Sequence, residues 1–441
     1  MPAPLTRIDT SPDLPARSDV VVIGGGIVGI CTAYYLAQRG VSVTLLEKGL
    51  VGAEQSSRNW GWCRQQNRDA RELPMATKSL ELWDAMKQET GIDTGFRRCG
   101  LTYLSDSESE IEGWANWCDF AKTRGVRSHA FGAEEAARRG EATGRGWKGG
   151  VYSPDDGIAD PSLAVPAIAQ GVLHYGGHVV QGCAARGIET AAGRVSGVIT
   201  EKGTIACDRV VMAGGAWASS FCRTLGISFP QAATRSSILS VTAGAEGLPP
   251  ALHTSQVSVT QRSSGGYTLA ISGKAQLDPT LQQLRHARHY LPMFWRRRRN
   301  LSPGGMQAFR AGHERLTGWA LDRPTPMERT RILDPKPNRA VIEETLRRAQ
   351  VLLPELSKTR IEASWAGYID STPDGVPVIG EIPRLPGFFL AAGFSGHGFG
   401  IGPGAGLLIA DMVTGAASYE DPAHYALSRF AGFGWQKVAE F

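Results

Sequence analysis

Closely spaced cysteines are missing from this sequence. Its seven cysteines are scattered along the chain, and no two of them form a CxxC pair. An odd number of scattered cysteines argues against a disulfide framework, and the lack of a CxxC pair argues against a structural zinc site, so we predict no metal site. Scattered thiols are typical of proteins in a reducing compartment, and we therefore expect a cytoplasmic protein.

Long hydrophobic runs are also missing. Residues 1–18 contain Asp, Pro and Arg but no apolar core, so we expect no signal peptide. The most apolar stretch, residues 388–413, includes several glycines together with His397 and Asp411, which makes it a poor lipid-facing helix. We predict no transmembrane segment.

A large excess of charge of one sign is absent as well. The chain has 47 basic and 42 acidic residues, and the net charge of +5 is too small to indicate nucleic-acid binding. The one dense basic run, residues 296–299, fits a solvated helix face or loop, with a phosphate-binding patch as the alternative. What is present is a globular composition, with 42% hydrophobic residues in a 441-residue chain that has room for two or three domains.

The N-terminal segment predicts a strand, a glycine turn, a helix and a second strand. Residues 19–23 form a β-branched run suited to a strand buried on both faces. Residues 27–39 have apolar side chains at helical spacing, and Gly40 predicts the end of that helix. Residues 41–46 predict the second buried strand. This order is the first unit of a dinucleotide-binding sheet.

The turn in this unit carries a phosphate-binding motif. Gly24, Gly26 and Gly29 satisfy GxGxxG, with Ile27 and Val28 opening the helix. One glycine makes the tight turn, another lets the backbone approach a pyrophosphate, and the third lets the helix pack against the strand. The free N–H groups of the helix N-terminus then face the phosphate.

An acidic residue follows the second strand. Glu47 stands where it accepts hydrogen bonds from ribose hydroxyls, and a carboxylate there disfavours a 2′-phosphate. NADP is therefore disfavoured as the ligand. The N-terminal unit alone leaves FAD and NAD open.

Helical and strand patterns continue along the chain. Helices are predicted over residues 70–90, 107–125, 277–300, 340–356 and 402–413. Strands are predicted over residues 178–189, 194–200, 204–213, 233–243, 361–370 and 387–392, and within residues 256–273 on either side of a break at residues 263–266. Parallel-sheet signals thus occur at both ends of the chain, with an antiparallel region between them. This order predicts a nucleotide-binding domain made of separated segments, with a substrate domain inserted into it.

Three further motifs support a family resemblance. They are Val-Val-Met-Ala-Gly-Gly-Ala-Trp at residues 210–217, Asp-Ser-Thr-Pro-Asp-Gly-Val-Pro-Val-Ile-Gly at residues 370–380 and Ala-Gly-Phe-Ser-Gly-His-Gly-Phe-Gly at residues 392–400. Together with the N-terminal unit they closely resemble the D-amino-acid-oxidase (DAO) family of flavoenzymes, which includes glycine oxidase, sarcosine oxidase, dimethylglycine dehydrogenase and bacterial D-amino-acid dehydrogenases. The four motifs follow the family's order, and the middle of the chain resembles the family only loosely.

The resemblance implies an architecture. The fold class is α/β, an α+β composite, with a discontinuous Rossmann-type FAD-binding domain and an inserted substrate domain built on a large antiparallel sheet. We assign residues 1–85, 150–230 and 360–441 to the FAD-binding domain. Residues 86–149 and 231–359 are assigned to the substrate-binding domain.

The resemblance also implies a set of cofactor-binding residues. By similarity these are Gly24, Gly26, Ile27, Val28, Gly29, Glu47, Lys48, Ser56, Ser57, Arg58, Ala184, Ala185, Gly214, Gly215, Gly396, His397, Gly398, Phe399 and Gly400. Some relatives attach FAD through a cysteine just before the Thr-Pro-Asp segment or through an N-terminal histidine. Residues 364–368 contain no Cys and residues 1–70 no His, so we predict noncovalent FAD.

The resemblance implies that residues 396–400 of the C-terminal motif border the flavin ring. A helix starting near Gly402 would direct its positive end at the pyrimidine side of the flavin and stabilise negative charge on the reduced ring. His397 is either a donor facing a ligand or a packed histidine; we favour a position beside the flavin, where it is also a candidate for binding the substrate.

Substrate recognition is less well specified. In glycine oxidase and related members an arginine just before the C-terminal glycines binds the substrate carboxylate, but residues 365–370 contain none. Candidate replacements are Arg64, Arg262, Arg329 and Arg331. Arg64 is preferred because its segment, residues 59–66, directly follows the flavin-binding stretch; the alternative is a structural or surface arginine. Candidate aromatic walls, each alternatively a core residue, are Trp60, Trp62, Tyr267, Trp365 and Tyr368.

These features predict an oxidoreductase. We expect hydride transfer from the carbon next to nitrogen in an amino acid, or a related primary or secondary amine, to flavin N5, which gives an imine. The sequence nominates no catalytic base. The electron acceptor is O2 or a quinone or electron-transfer partner. The alternatives are a flavoenzyme oxidising a 2-hydroxy acid, and a non-catalytic flavin-binding or RNA-binding protein.

Overall fold

The computed structural model describes residues 3–432 and Val438. Its strands are β1 (Val20–Ile23), β2 (Val43–Leu46), β3 (Trp62–Cys63), β4 (Arg97–Arg98), β5 (Leu101–Ser105), β6 (His129–Gly132), β7 (Gly149–Ser153), β8 (Gly157–Ile158), β9 (His178–Val180), β10 (Ala185–Ala191), β11 (Arg194–Thr200), β12 (Gly203–Ala206), β13 (Arg209–Met212), β14 (Ala232–Val241), β15 (Ala251–Thr254), β16 (Ser258–Gln261), β17 (Tyr267–Ala270), β18 (Ala275–Leu277), β19 (Leu301–Pro303), β20 (Ile361–Ser371), β21 (Val378–Glu381) and β22 (Phe388–Ala392).

The same residues form eleven α-helices. They are α1 (Ile27–Gln38), α2 (Leu73–Thr90), α3 (Glu108–Lys122), α4 (Ala133–Arg139), α5 (Ala164–His174), α6 (Ala218–Thr224), α7 (Leu281–Arg297), α8 (Gln307–Ala311), α9 (Pro326–Arg329), α10 (Arg339–Leu352) and α11 (Gly398–Thr414). Among the described residues, no helix is both long enough and apolar enough to cross a membrane.

A six-stranded sheet joins the two ends of the chain. Its order is β21-β22-β13-β1-β2-β9, and all neighbours are parallel except β21, which runs antiparallel to β22. Strands β1 and β2 are buried along their whole length, as their β-branched residues predict. The carboxyl ends of β1, β2, β13 and β22 lie side by side, which is where open α/β sheets bind ligands.

A ten-stranded, mostly antiparallel sheet forms the second large layer. Its order is β19-β18-β14-β17-β16-β15-β5-β7-β6, with β20 also paired to β14. The two sheets confirm the mixed α/β class. The division into domains stays a prediction; β7 and β20, which it assigns largely to the FAD-binding part, hydrogen-bond within this second sheet.

Two predicted strands are interrupted in the structure. The strand predicted over residues 178–189 is split into β9 and β10, and the one over residues 204–213 into β12 and β13. At both breaks the chain passes between the six-stranded sheet and a three-stranded sheet, β10-β11-β12. Gly182, with φ of +59°, provides the turn at the first break.

The C-terminal helix starts four residues earlier than predicted. Helix α11 begins at Gly398, not near Gly402, although Pro403 removes one helical donor. Side chains of α2 take over the interrupted hydrogen bonds: the Trp83 indole N–H donates to the Gly400 carbonyl at 3.0 Å, and the Gly404 N–H donates to Ser79 Oγ at 2.9 Å. Tertiary contacts therefore extend the helix through glycines that disfavour it in isolation.

Helices α1 and α11 pack with their backbones in close approach. A Cβ placed on Gly402 would lie 2.5 Å from Cγ1 of Ile27, and one on Gly406 would lie 2.5 Å from Cβ of Cys31. The second contact also includes backbone of α1, with the Thr32 nitrogen at 2.7 Å. A larger residue at either glycine must push the two helices apart.

We expect Gly406→Ala to lower the free energy of unfolding by about 1–3 kcal/mol, because the added methyl overpacks the α1–α11 contact. The matched control is Gly113→Ala on the exposed side of α3, where a Cβ meets nothing within 4 Å. That change should raise stability by roughly 0.5–1 kcal/mol. Urea unfolding followed by circular dichroism measures both, and equal effects of the two substitutions would contradict the packing argument.

Candidate active site

A cavity of about 1140 Å³ lies at the carboxyl ends of the parallel strands. Its walls include the ends of β1, β2, β13 and β22, residues of β14 and β20, and one side of α7. It therefore adjoins both large sheets. The position is the one at which a sheet of this topology binds a dinucleotide.

The glycine turn after β1 has the shape that a pyrophosphate needs. Gly24 has φ of +114°, and a Cβ on it would lie 2.4 Å from the Ala213 carbonyl oxygen. A Cβ on Gly29 would lie 2.0 Å from the Gly24 carbonyl oxygen. A Cβ on Gly26 would instead have only Ser56 Oγ within 4 Å, at 3.3 Å. Two glycines thus allow strand and helix to touch, and the third leaves the backbone accessible to a ligand.

Glu47 is held in place by backbone amides. Its carboxylate accepts from the Gly25 N–H at 2.8 Å and from the Gly49 N–H at 2.6 Å. Burial raises the pKa of Glu47, which Lys48 and these two hydrogen bonds partly oppose. The carboxyl group lies on the cavity wall at the end of β2, as expected of a group that binds a ribose.

Two cationic side chains that were predicted to contact the cofactor, Lys48 and Arg58, form ion pairs and hydrogen bonds with other residues of the chain. The Lys48 ammonium pairs with Glu54 at 2.5 Å and donates to the Arg331 carbonyl at 2.8 Å. The Arg58 guanidinium donates to the Ala366 carbonyl and pairs with Asp334, both at 2.7 Å. Both residues line the cavity, and their hydrogen bonds fix the loop after β2 against the second sheet.

His397 lies at the N-terminus of α11, and its ring contacts the residue that precedes α2. Its Nδ1 is 3.3 Å from a carboxylate oxygen of Glu72, which is fully buried. Burial, followed by the nearby Arg68 charge, lowers the pKa of His397 to about 4, so the ring is neutral at pH 7. The residue borders the cavity, and its contact with the flavin stays a prediction.

Most predicted cofactor-binding residues line this cavity. They are Gly24, Gly26, Ile27, Val28, Glu47, Lys48, Ser56, Arg58, Ala185, Gly214, Gly215, Gly396, His397, Gly398, Phe399 and Gly400. Gly29, Ser57 and Ala184 are buried off the wall. A glycine cradle, a ribose-binding acid and a cavity of this size fit an extended dinucleotide cofactor.

The predicted substrate residues divide between wall and core. Arg64, Trp60, Trp62 and Tyr368 line the cavity. Tyr267 and Trp365 do not, because their strands direct them into apolar clusters where each is almost fully buried. The other arginines are also off the wall: Arg331 pairs with Glu201, Arg262 lies 4.0 Å from Glu362, and Arg329 is exposed.

A second arginine, which the sequence did not indicate, lies beside Arg64. Arg68 lines the cavity with 3% of its surface exposed, and its Nε donates to the Arg64 carbonyl at 3.3 Å. Its Nη1 is buried without a hydrogen-bond partner among the described residues. Burial, together with the neighbouring Arg64 charge, lowers the pKa of Arg68 to about 10, so it stays a cation at neutral pH.

A buried carboxyl group positions the loop that carries both arginines. Asp156 accepts from the Gln65 N–H at 2.7 Å and from the Gln66 N–H at 3.2 Å. Burial raises the pKa of Asp156 to about 6. The spacing of Arg64 and Arg68 matches no known motif. Contacts with residues distant in sequence, Asp156 and also Trp117, whose indole N–H donates to the Arg68 carbonyl, hold the loop in place.

Aromatic rings line the same part of the cavity. Trp62 is edge-on to Trp60, with ring centroids 5.2 Å apart, and lies 5.9 Å from Tyr103. The Tyr103 ring lies 4.7 Å from that of His253. Burial, followed by the Arg64 charge, lowers the pKa of His253 to about 4. The arrangement is an apolar, neutral wall beside two cations.

Comparison with known proteins places the chain in a family. The family model described as FAD dependent oxidoreductase (DAO) matches residues 19–412. The chain is 27% identical over 431 residues to mitochondrial sarcosine dehydrogenase of Mus musculus, covering 95% of this chain and 42% of that protein. It is also 27% identical to glycine oxidase of Pseudomonas putida, covering 92% of this chain and 97% of that protein. The chain thus spans less than half the length of the sarcosine dehydrogenases it matches.

A solved structure is similar over nearly the whole chain. L-amino acid deaminase from Proteus myxofaciens, in complex with anthranilate, superposes with a TM-score of 0.92 at 29% identity and covers 97% of each chain. The match confirms the predicted fold class, and the family match confirms FAD as the cofactor. The chain belongs to the DAO family of FAD-dependent oxidoreductases.

Proposed function

We propose that the protein oxidises an amino acid or a closely related amine that carries a free carboxylate. The observation that carries the proposal is the arginine pair, Arg64 and Arg68, on the wall of the cofactor cavity. A buried guanidinium nitrogen without a partner costs free energy unless a ligand satisfies it. Carboxylate is the anion that an arginine binds with two parallel hydrogen bonds.

The similar proteins support this reaction class. The glycine oxidases and the L-amino acid deaminase are named for amino-acid substrates, and anthranilate, held by the deaminase, is itself an aromatic amine with a carboxylate. This chain places a cation pair beside aromatic rings, which suits a ligand with a carboxylate and an apolar side chain.

The protein's own residues contribute orientation and charge in the proposed reaction. FAD, when bound, supplies the acceptor for the α-hydride. Arg64 and Arg68 hold the substrate carboxylate. The rings of Trp62 and Tyr103 limit the access of water and the positions open to the substrate side chain. The two guanidinium charges also disfavour the ammonium form of the substrate, which must lose a proton before its α-hydride leaves. The imine product is then hydrolysed to a keto acid or aldehyde.

The predicted cofactor contacts belong to the proposal as well. Glu47 binds the adenosine ribose, the glycine turn binds the pyrophosphate and residues 396–400 border the flavin, with FAD held noncovalently. The electron acceptor is O2 or a quinone or electron-transfer partner. A cytoplasmic location is supported by the seven cysteines, all of which are free thiols.

An anaerobic visible spectrum tests the reaction class. We expect one class among L-amino acids, D-amino acids and N-methylated amines to bleach the flavin bands, because hydride transfer reduces the ring. Readmitted air then separates an oxidase, which recovers its colour, from a dehydrogenase. Bleaching by 2-hydroxy acids alone would contradict amine oxidation and support the hydroxy-acid alternative.

We expect Arg64→Ala and Arg68→Ala each to raise KM for the amino acid by roughly 10- to 150-fold, the loss of about 1.5–3 kcal/mol of charged hydrogen bonding. The matched control is Arg329→Ala, which removes an exposed arginine off the wall and should leave KM unchanged. Steady-state kinetics with the amino acid and with its decarboxylated amine separate the roles, since only the amino acid should be affected. An equal loss for both substrates would contradict carboxylate binding.

We expect Glu47→Ala to weaken FAD binding by roughly 10- to 150-fold, because the ribose loses a charged acceptor worth about 1.5–3 kcal/mol. Glu47→Gln keeps one acceptor oxygen for the backbone amides, so its loss of FAD binding should be smaller than that of Glu47→Ala. The flavin-to-protein ratio after prolonged dialysis measures the effect. Full occupancy of Glu47→Ala, with a native circular dichroism spectrum, would exclude the ribose contact.

A further inference from the structure

A histidine and a buried glutamate form a pair on the wall of the cavity. The Nδ1 atom of His397 lies 3.4 Å from one carboxylate oxygen of Glu72 and 3.3 Å from the other. The Glu72 side chain is fully buried, and its Oε2 atom has no hydrogen-bond partner among the described residues. A buried acid with so few partners is costly to the fold, so its place beside His397 calls for a functional explanation.

The contact with Glu72 determines where the neutral His397 ring carries its proton. An ionised carboxylate only accepts hydrogen bonds, so the ring must donate to it through Nδ1–H. The lone pair is then on Nε2. This atom makes no hydrogen bond to a described residue and is not buried, and His397 lines the cavity. The ring therefore presents a proton acceptor to the space in which the substrate binds.

The charges that act on the ring come from Glu72 and from the loop that carries the two arginines. Burial lowers the pKa of His397 most, Arg68 and Arg64 lower it further, and Glu72 raises it. A carboxylate bound by the arginines would cancel their effect, and His397 would become a stronger base. The other titratable groups that interact with Glu72 are Arg71, Glu420, Tyr425 and Arg429.

We propose that His397 is the base that takes a proton from the substrate ammonium group and that Glu72 is its positioning residue. In this step an N–H bond of the ammonium breaks, its electron pair stays on nitrogen, and Nε2 of His397 gains the proton. The neutral amine then loses its α-hydride to FAD, so the substrate is oxidised and the cofactor is reduced. The imidazolium returns the proton to water after the product leaves.

The base acts in the reaction proposed above, so its assignment rests on the proposed function. Its strength depends on the substrate carboxylate. An amino acid neutralises Arg64 and Arg68 when it binds, whereas a simple amine leaves His397 beside two unneutralised cations. The pair therefore selects for amino acids at the proton-transfer step as well as at binding.

Stopped-flow reduction of the flavin tests the base. We expect His397→Asn to lower the rate of reduction by a saturating amino acid roughly 100-fold at pH 7, the contribution of a positioned base. The loss should be much smaller at pH 9, where far more of the substrate is a free amine and Arg68 is still charged. Asn is favoured as the residue before a helix and so preserves the start of α11. An equal loss at both pH values, or none at pH 7, would overturn the proposal.

The matched control is a second histidine–glutamate pair outside the cavity. His129 lies 3.2 Å from Glu135, and about half of its side chain is exposed. His129→Asn removes the same kind of contact and should leave the rate of flavin reduction unchanged at both pH values. A loss as large as that of His397→Asn would show that the effect does not come from the cavity.

Glu72→Gln tests the positioning role. The change keeps the size of the side chain but removes the charge that raises the pKa of His397. The protonated ring cannot accept a proton, so kcat falls at acid pH, and this fall should move to lower pH in the variant while KM changes little. A fall at the wild-type pH would contradict the role of Glu72. Flavin content and circular dichroism confirm that each variant is folded.

Benzoate binding tests the link between the arginines and the base without turnover. Benzoate has a carboxylate but no amine, so it neutralises the arginines and gives up no proton. At pH 5 the wild-type protein should take up more protons on binding benzoate than His397→Asn does, because the pKa of His397 rises. Calorimetry in buffers of different ionisation enthalpy measures the uptake, and Asp156 contributes equally in both proteins. Equal uptake would overturn the proposal.

The outcomes separate the base from the reaction class. If no amino acid reduces the flavin of the wild-type protein, the proposed function is wrong and the base is wrong with it. If amino acids reduce the wild-type protein and His397→Asn at the same rate, amine oxidation stands and only the assignment of the base is overturned.

Discussion

The close contact between α1 and α11 is the constraint on which the rest of the structure depends. Gly402 and Gly406 let α11 touch the side chains and backbone of α1, although nearly four hundred residues separate them in sequence. Both helices consequently begin at the same cavity, α1 at Ile27 and α11 at Gly398. Their partial positive charges add at one place, where the fold binds an anionic, electron-accepting cofactor. A side chain at either glycine would separate the two helix ends.

Local chemistry explains which parts of the fold were predictable. The first strand, glycine turn, helix and second strand are specified by residues adjacent in sequence, and the structure has them within two residues of the prediction at each end. Strands β5, β6 and β7 and helix α5 were not predicted. β5 and β7 are almost fully buried, so their residues show no alternation of polar and apolar side chains, whereas β6 is mostly exposed and is held by its pairing with β7. The early start of α11 likewise depends on Trp83 and Ser79 of another helix.

Inside the candidate site, too, features set by residues adjacent in sequence were predictable and features set by distant contacts were not. Residues 365 and 368 belong to one strand, but an odd separation puts their side chains on opposite faces, so Tyr368 reaches the cavity and Trp365 packs in a cluster. No composition or spacing rule states which face is the inner one. Arg64 was found because it follows the cofactor stretch in sequence. Arg68 became visible only in the structure, where Asp156 fixes the loop between them.

Positive charge in this cavity falls into two kinds, and the difference bears on which ligands enter. The ammonium of Lys48 and the guanidinium of Arg58 are saturated by carbonyls and carboxylates of the chain, so their electrostatic field is largely cancelled. Arg68 retains an unpartnered buried nitrogen, and no ion pair within the described residues neutralises it. An amino acid is neutral overall at pH 7, so long-range attraction to the cavity is weak and selection must occur at short range. At that range a guanidinium in an apolar wall favours the carboxylate end and repels the ammonium end, which orients the substrate and favours its free amine at the same time.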